Sequence, residues 1–304
     1  MTPRVLLLAD VRGWAFDVNL RDLASYLHDR FSFEFWYMQD GMPSDLVRYD
    51  AIYAAYRWDL PPGFPYGRAI GSLRCSIFRP EAPGPPTAED TVEANRWGAF
   101  QVVNREVYDA LKPHCPRVAY LTNPVDARRF DGAAPEHLRT VASWSGNARH
   151  ISPAGVDVKG FESIVLPACR RANVPLVYAE QMTRKVLPAQ MPDFYRSGNV
   201  TLCASLYEGA SNSVMEAMAM GHAIISTDAG NIRELDWSER ENMGASGIVI
   251  VERSVDAFAK ALGELTLEQA KEMGALNRRE IQPRWSWDAW ADRYAALLGE
   301  VCRR

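Results

Sequence analysis

Two glutamates, Glu208 and Glu216, lie eight residues apart in the run ASLYEGASNSVMEAMAMGHAIISTDAGNIREL, Ala204 to Leu235. An ionised carboxylate accepts hydrogen bonds from hydroxyls, and one carboxylate can take a diol with both of its oxygens. Spacing alone does not mark the pair, because Glu81/Glu89, Glu264/Glu272 and Glu272/Glu280 repeat it. The setting does. Val200 to Ser205 is an apolar run that reads as a buried strand, and Leu206 to Ala210 is the loop leaving it, with Glu208 at the strand's C-terminal edge. Ser211, Asn212 and Ser213 are helix starters, Val214 to Met220 is a helical run, and Gly221 is a helix stop. Ala223 to Ser226 is the next buried strand. In an open parallel sheet, ligands bind at the carboxyl ends of strands, where helix N-termini point N–H groups toward an anion. A phosphate held there lies near both carboxylates, Glu208 beside hydroxyls next to it and Glu216 on a ribose diol. A second reading of Glu216 stays open: Ser213 and Glu216 have the spacing of a capping box, in which Glu216 bonds the Ser213 amide.

Glu208-Gly209, the segment Val214-Met-Glu-Ala-Met-Ala219, Gly221, Ile224-Ile225, Thr227 and the closing Glu234-Leu235 together resemble the signature of the retaining glycosyltransferases of family 4 and their GT-B relatives. The resemblance implies that Glu208 binds the donor sugar and Glu216 the nucleotide ribose, with Gly209, Ser211, Asn212 and Ser213 lining the donor. Ser145-Gly-Asn-Ala-Arg149 and Asp157-Val-Lys-Gly160 resemble the family's element whose Arg and Lys clamp a diphosphate. Lys159 matches it, whereas Asn147 stands where the family has Arg and the gap to the lysine is longer. Arg149 and Arg184-Lys185 are the candidate replacements, with a surface role as the alternative for each. Gly230-Asn231 stands in place of the family's double glycine; its N–H groups contact sugar or phosphate, or form a plain turn. Gly13, in the loop Asp10 to Phe16, would in the family's equivalent loop lie near the donor phosphates and the acceptor. The other reading of Gly13 is a tight turn with Trp14 covering core. That loop is not G-x-G-x-x-G, so a dinucleotide site has no support.

Cleaving a sugar from a nucleoside diphosphate leaves negative charge on the departing group, and something fixed must neutralise it. None of the aspartates forms an Asp-x-Asp pair. The expectation is therefore no metal and no cofactor, with Lys159 and a helix N-terminus as the preorganised positive charge. By resemblance the reaction is front-face transfer with retention, the leaving phosphate oxygen taking the acceptor's proton. The expected function is transfer of a hexose from a UDP or GDP sugar to a glycan, lipid-linked or small-molecule acceptor. Two alternatives are another GT-B enzyme, such as a nucleotide-sugar epimerase, and a non-catalytic nucleotide-sugar-binding protein. His28, His114 and His137 lack support as acid or base; His222 reads as a helix C-terminal cap, and Glu234 as a helix-capping or surface charge.

The 304 residues, 47% hydrophobic and 24% charged, suit a soluble protein of two domains. A net charge of -4 without a basic run gives no reason to expect nucleic acid, though a local basic patch against a membrane stays possible. The apolar stretches are strand-length, such as Val5 to Ala9, so no transmembrane segment and no signal peptide is expected. Five scattered cysteines suggest neither disulfides nor zinc, which favours a reducing cytoplasm.

Strands alternating with helices argue for α/β architecture with parallel sheets, two Rossmann-like domains facing across a cleft in the GT-B manner. Arg4 to Ala9, Phe31 to Met38, Ala51 to Ala54, Phe100 to Val103 and Arg117 to Leu121 read as strands of the first. From Trp58 to Glu93 prolines interrupt every period and loops are expected, with Pro80 to Pro86 the mobile segment. Thr122 to Phe130 resembles the family's interdomain marker. Residues 1–121 then form the acceptor-side domain and 122–285 the nucleotide-sugar domain. The last helix, 286–304, is led by Trp285-Ser-Trp-Asp-Ala-Trp290 and is expected to pack back on the first.

Overall fold

The computed structural model describes residues 2–304 except 42, 44, 56, 58–59, 76–84, 132–135 and 237–246. The chain divides into two compact units. The first holds the described residues of Met1–Phe78 and Pro83–Pro124 together with Trp287–Arg304; the second holds Val125–Ser286.

In the first unit six strands run parallel: β1 Arg4–Ala9, β2 Ser32–Tyr37, β3 Ala51–Ala54, β4 Ala69–Leu73, β5 Ala99–Val102 and β6 Val118–Tyr120. Their order is β2-β1-β3-β4-β5-β6. Helices α1 Ala15–Leu27, α2 Ala88–Arg96 and α3 Arg105–Leu111 connect them. The run VLLLA is apolar throughout because β1 is covered on both faces. Val5, Leu7 and Ala9 join a core with Leu20, Leu23 and Leu27 of α1 and with Trp287, Trp290, Tyr294 and Leu298. Leu6 and Leu8 point the other way, into a core with Trp97, Phe100, Val107 and Leu111.

The stretch read as loop from Trp58 to Glu93 contains β4 and the start of α2. β4 lies mid-sheet, yet its sequence AIGSL carries little strand signal, and the physical reason is packing. A Cβ on Gly71 would lie 2.4 Å from Cδ2 of Trp97, so the fully buried indole takes the place of a side chain. Ser72 is spent on a buried hydrogen bond to Gln101. The prolines fall outside the strand. Thr87 caps α2 reciprocally with Asp90, and the expectation for residues 80–84 lies outside the described residues.

The second unit is a five-stranded parallel sheet of β7 Ala142–Gly146, β8 Leu176–Glu180, β9 Val200–Cys203, β10 Ala223–Ser226 and β11 Ile248–Ile250, in the order β11-β10-β9-β7-β8. A π-helical turn, Phe161–Val165, runs into α4 Leu166–Arg171; α5 Met191–Arg196, α6 Asn212–Ala219 and α7 Ile232–Leu235 follow. α8 Val255–Glu264 and α9 Leu267–Trp285 complete the unit, and α10 Trp287–Cys302 belongs to the first. One face of this sheet is closed by Phe161, Ile164, Val165, Phe258 and Leu262. Chain order reverses between β7 and β9, which makes their carboxyl ends the natural ligand crevice of the unit. Among the described residues no helix is long and apolar enough to cross a membrane.

Candidate active site

Lys159 and Glu208 come from the stretches that follow β7 and β9, the two strands flanking that reversal. Their side chains meet: Lys159 Nζ donates to Glu208 Oε1 at 2.5 Å, and the Ser205 hydroxyl donates to the same oxygen at 2.7 Å. The pair is mostly enclosed, with side-chain exposures of 23% and 14%. Removing two charges from water costs about as much as their attraction returns. The pair is therefore poor as a stabilising device and well suited to exchanging partners with a charged ligand.

The local backbone explains why the two groups can approach. Gly160 has φ +66°, and a Cβ on it would sit 2.6 Å from the Ala204 carbonyl oxygen. Gly230 has φ +62°, and its Cβ would sit 2.3 Å from the Gly209 carbonyl oxygen. Only glycine suits either place. Leu206 N donates to Val158 O at 2.7 Å, and Asn231 N to Gly209 O at 3.0 Å. Ser211 N donates to Asn231 Oδ1 at 3.0 Å. Asp157 holds the turn before Lys159 by accepting from Gly160 N at 2.8 Å. The fold thus brings together Lys159, Glu208, Gly209, Ser211, Gly230 and Asn231.

Glu216 sits on α6, one to two turns from its start, where Tyr195 donates to Oε2 at 3.0 Å. Tyr195 is fully buried, also lies 3.2 Å from Ser213 O and 3.5 Å from Ser145 Oγ, and burial holds its hydroxyl well above the ordinary tyrosine range. Ser211 is the residue that precedes the helix, and Asn212 and Ser213 are its first two residues. The capping box centred on Ser213 is therefore not the geometry, since Ser213 already lies inside the helix.

Other expected residues stand elsewhere. Asn147 turns its side chain into its own loop, Oδ1 accepting from Arg149 N at 2.9 Å, and Arg149 is exposed. Arg184 stacks its guanidinium 4.9 Å from the centre of the Tyr178 ring, and Lys185 is exposed. Gly13 belongs to the first unit, at φ +74°, its N–H held by Asp17 Oδ2 at 2.8 Å. His222 is not a cation at a helix end. It is fully buried between Thr201 Oγ1 (2.9 Å) and Tyr195 O (2.8 Å), and burial pushes it down to about 4. Glu234 is not a surface charge either, being only 7% exposed.

Three site residues carried no usable sequence signal. Arg253, after β11, donates to Ala204 O at 2.9 Å and to Asp157 O, strapping the two loops together. Tyr195 lies on a short helix remote from the motif. His150 occupies the longer gap before Lys159, in a hairpin closed by Val158 N donating to its carbonyl at 2.8 Å, with its ring edge-on to Tyr207. Among the described residues, no three His, Cys, Asp or Glu are grouped to hold a metal ion.

Residues 167–268 match the family described as Glycosyl transferases group 1, a stretch that includes Glu208, Glu216, Gly230 and Asn231 and begins after Lys159. A curated relative from Mycobacterium tuberculosis, a GDP-mannose-dependent alpha-(1-6)-phosphatidylinositol monomannoside mannosyltransferase, is 32% identical over 186 residues, 58% of this chain and 41% of its own length. Over that stretch the chain is similar to family 4-like glycosyltransferases. The match spans about two-fifths of that relative. Among solved structures the chain resembles sucrose-phosphate synthase from Thermosynechococcus elongatus, at TM-score 0.70 and 12% identity over 98% of this chain and 99% of that one. It also resembles the Anabaena protein HepE in complex with UDP and glucose, at TM-score 0.66 and 13% identity over the same shares. At such identities the likeness concerns the fold, and it makes the two Rossmann-like units of this chain those of the GT-B class.

Proposed function

We propose that the chain transfers a hexose from a GDP or UDP sugar, with retention of configuration and without a metal, to a hydroxyl of a glycan, lipid-linked or small-molecule acceptor. The observation that carries this reading is the enclosed Lys159–Glu208 pair at the strand reversal of the second unit, with Glu216 on the neighbouring helix. Lys159 exchanges Glu208 for the diphosphate, whose negative charge grows as the glycosidic bond breaks. Glu208, released, accepts hydrogen bonds from sugar hydroxyls. Glu216, oriented by Tyr195, accepts from the ribose diol. The remaining contribution is positioning of the two reactants, and the acceptor's proton leaves on the departing phosphate oxygen. The donor choice is supported by the GDP-mannose dependence of the mycobacterial relative and by UDP in the Anabaena structure. The cell's cytoplasm, where such donors reside, is the proposed location, with peripheral membrane contact if the acceptor is lipid-linked.

A thermal-shift screen against UDP, GDP and dTDP sugars tests donor class, since a ligand bound only by the folded state raises the melting midpoint. Glu216→Ala should weaken nucleotide binding by calorimetry; unchanged affinity removes the ribose assignment. Glu208→Ala should abolish turnover while nucleotide still binds. EDTA should leave the rate unchanged, and loss of activity restored by a divalent cation would overturn the metal-free reading.

A further inference from the structure

We propose that His150 takes up a proton when a nucleoside diphosphate sugar binds, so that its imidazolium places a second positive charge beside Lys159 on the diphosphate. The inference rests on the donor site described under the proposed function and adds a residue and a pH dependence to it.

The hairpin that carries His150 brings it alongside the site. Its carbonyl accepts from Val158 N at 2.8 Å, so Lys159 follows directly from the residue opposite it. Its ring meets the edge of Tyr207, the neighbour of Glu208, with centroids 6.1 Å apart. The residue is half-buried. Among the described residues neither ring nitrogen makes a hydrogen bond, and neither is sealed off as a buried atom. An imidazole with both nitrogens open, inside a cluster of charged groups, is available to a ligand in a way the buried His222 is not.

The charges around it decide the direction. In the folded protein, burial and then Lys159 push the His150 pKa below its usual value, while Glu208 and Asp157 pull it up. Those three, with Tyr207, are the titratable groups facing the ring from its hairpin and from the loop after β9. Lys159 carries one positive charge, so a diphosphate that takes it from Glu208 brings two negative charges and leaves one still to be met. An anion at this place favours the charged imidazole. The folded chain by itself then has a depressed His150 pKa and its complex with the sugar nucleotide a raised one. Between the two values binding draws one proton from solvent, and affinity rises as pH falls. A diphosphate esterified at both ends has no proton of its own to exchange near neutrality, so the uptake belongs to the protein.

The test is calorimetry of GDP-mannose and UDP-glucose binding at pH 6.5 in buffers of differing ionisation enthalpy, on the full chain and on His150→Gln and His150→Asn. The expected result is net proton uptake in the parent protein and none in either variant. Affinity should rise about tenfold from pH 8.5 to pH 6 in the parent, a change of one pKa unit's worth of coupling, and stay flat in the variants, with all three proteins alike at pH 8.5. Binding without proton uptake, or uptake that survives in both variants, overturns the proposal and leaves the transferase reading intact. If neither sugar nucleotide binds the parent protein, both fall. Melting curves of the variants without ligand, expected to match the parent, separate a folding defect from loss of the charge.

Discussion

The carboxyl edges of the two sheets use polar groups for opposite ends. In the first unit Gln101, wholly buried on β5, has every position of its amide filled. Oε1 accepts from Tyr53 and from Ser72, and Nε2 donates to Leu121 O at 2.6 Å and to Tyr294 Oη at 2.9 Å. Tyr294 in turn donates to Thr122 O at 2.6 Å, and Arg74 joins Tyr53 to Asn123. This network ties the last helix of the chain to three strands, and the Gln101 amide at its centre is satisfied wholly by neighbours within the unit. In the second unit Lys159 and Glu208 meet across two glycine-tight loops, charged and partly open, in an arrangement that gives little net stability. The contrast separates polar groups that fix a fold from those proposed to meet a ligand.

The sharpest way to break that comparison is to remove one carbonyl or carboxylate from each unit. Glu208→Gln should lower kcat by about 10²- to 10³-fold, the range for loss of one preorganised polar group at a reacting centre, and move the chemical-denaturation midpoint little. Gln101→Leu should do the reverse: about 2–4 kcal/mol of stability lost, because several buried partners are left unsatisfied, with GDP-mannose or UDP-glucose affinity unchanged. Urea melts and steady-state rates on both variants decide it. A stable Gln101→Leu protein, or a Glu208→Gln protein that turns over normally, would erase the distinction.

How much was legible in the sequence divides along the same line. In the second unit helix starters, a helix stop and flanking apolar strands agree with one another from Val200 to Ser226, so local chemistry and fold point the same way. β9, α6 and β10 emerge where the residues suggest. In the first unit β4 escapes because Gly71 yields its side-chain space to Trp97 and Ser72 faces Gln101, both long-range relations invisible to periodicity. The geometry around the pair was half visible. Glycines at 160 and 230 announce close approaches, but Arg253 and Tyr195 reach the site from distant segments, and His150 lies in a gap that spacing alone marks only as extra length.

The comparison can be sharpened inside the second unit, which also contains a purely structural polar group. His222, neutral in the fold, accepts from Thr201 at Nδ1 and donates from Nε2 to Tyr195 O. Its folded pKa, about 4, lies below the unfolded value near 6.5. Above pH 6.5 neither state binds the proton and the stability is whole. As pH falls from 6.5 toward 4, only the unfolded chain takes it up, so stability declines. Between pH 6.5 and pH 5 the loss should be about 2 kcal/mol, read by urea melts. His222→Gln should be less stable at pH 7 and should lack this slope; a variant with the same slope would assign it to other groups.

Tyr195 gives the finest test, because it belongs to both categories at once. It is as buried as Gln101, yet its hydroxyl points at Glu216, the residue proposed to hold the ribose. If that hydroxyl only satisfies the core, Tyr195→Phe leaves Glu216 and Ser213 O to water and costs about 1 kcal/mol of stability alone. If it aims the carboxylate at a ribose diol, the same change also loosens the carboxylate's orientation. KM for the sugar nucleotide should then rise about fivefold with kcat nearly constant, since the ribose contact is made equally in ground and transition states. A deoxyribose donor, which lacks one of the two hydroxyls, should feel the substitution less. Equal losses for ribose and deoxyribose donors would place Tyr195 with Gln101 among the groups that merely hold the fold.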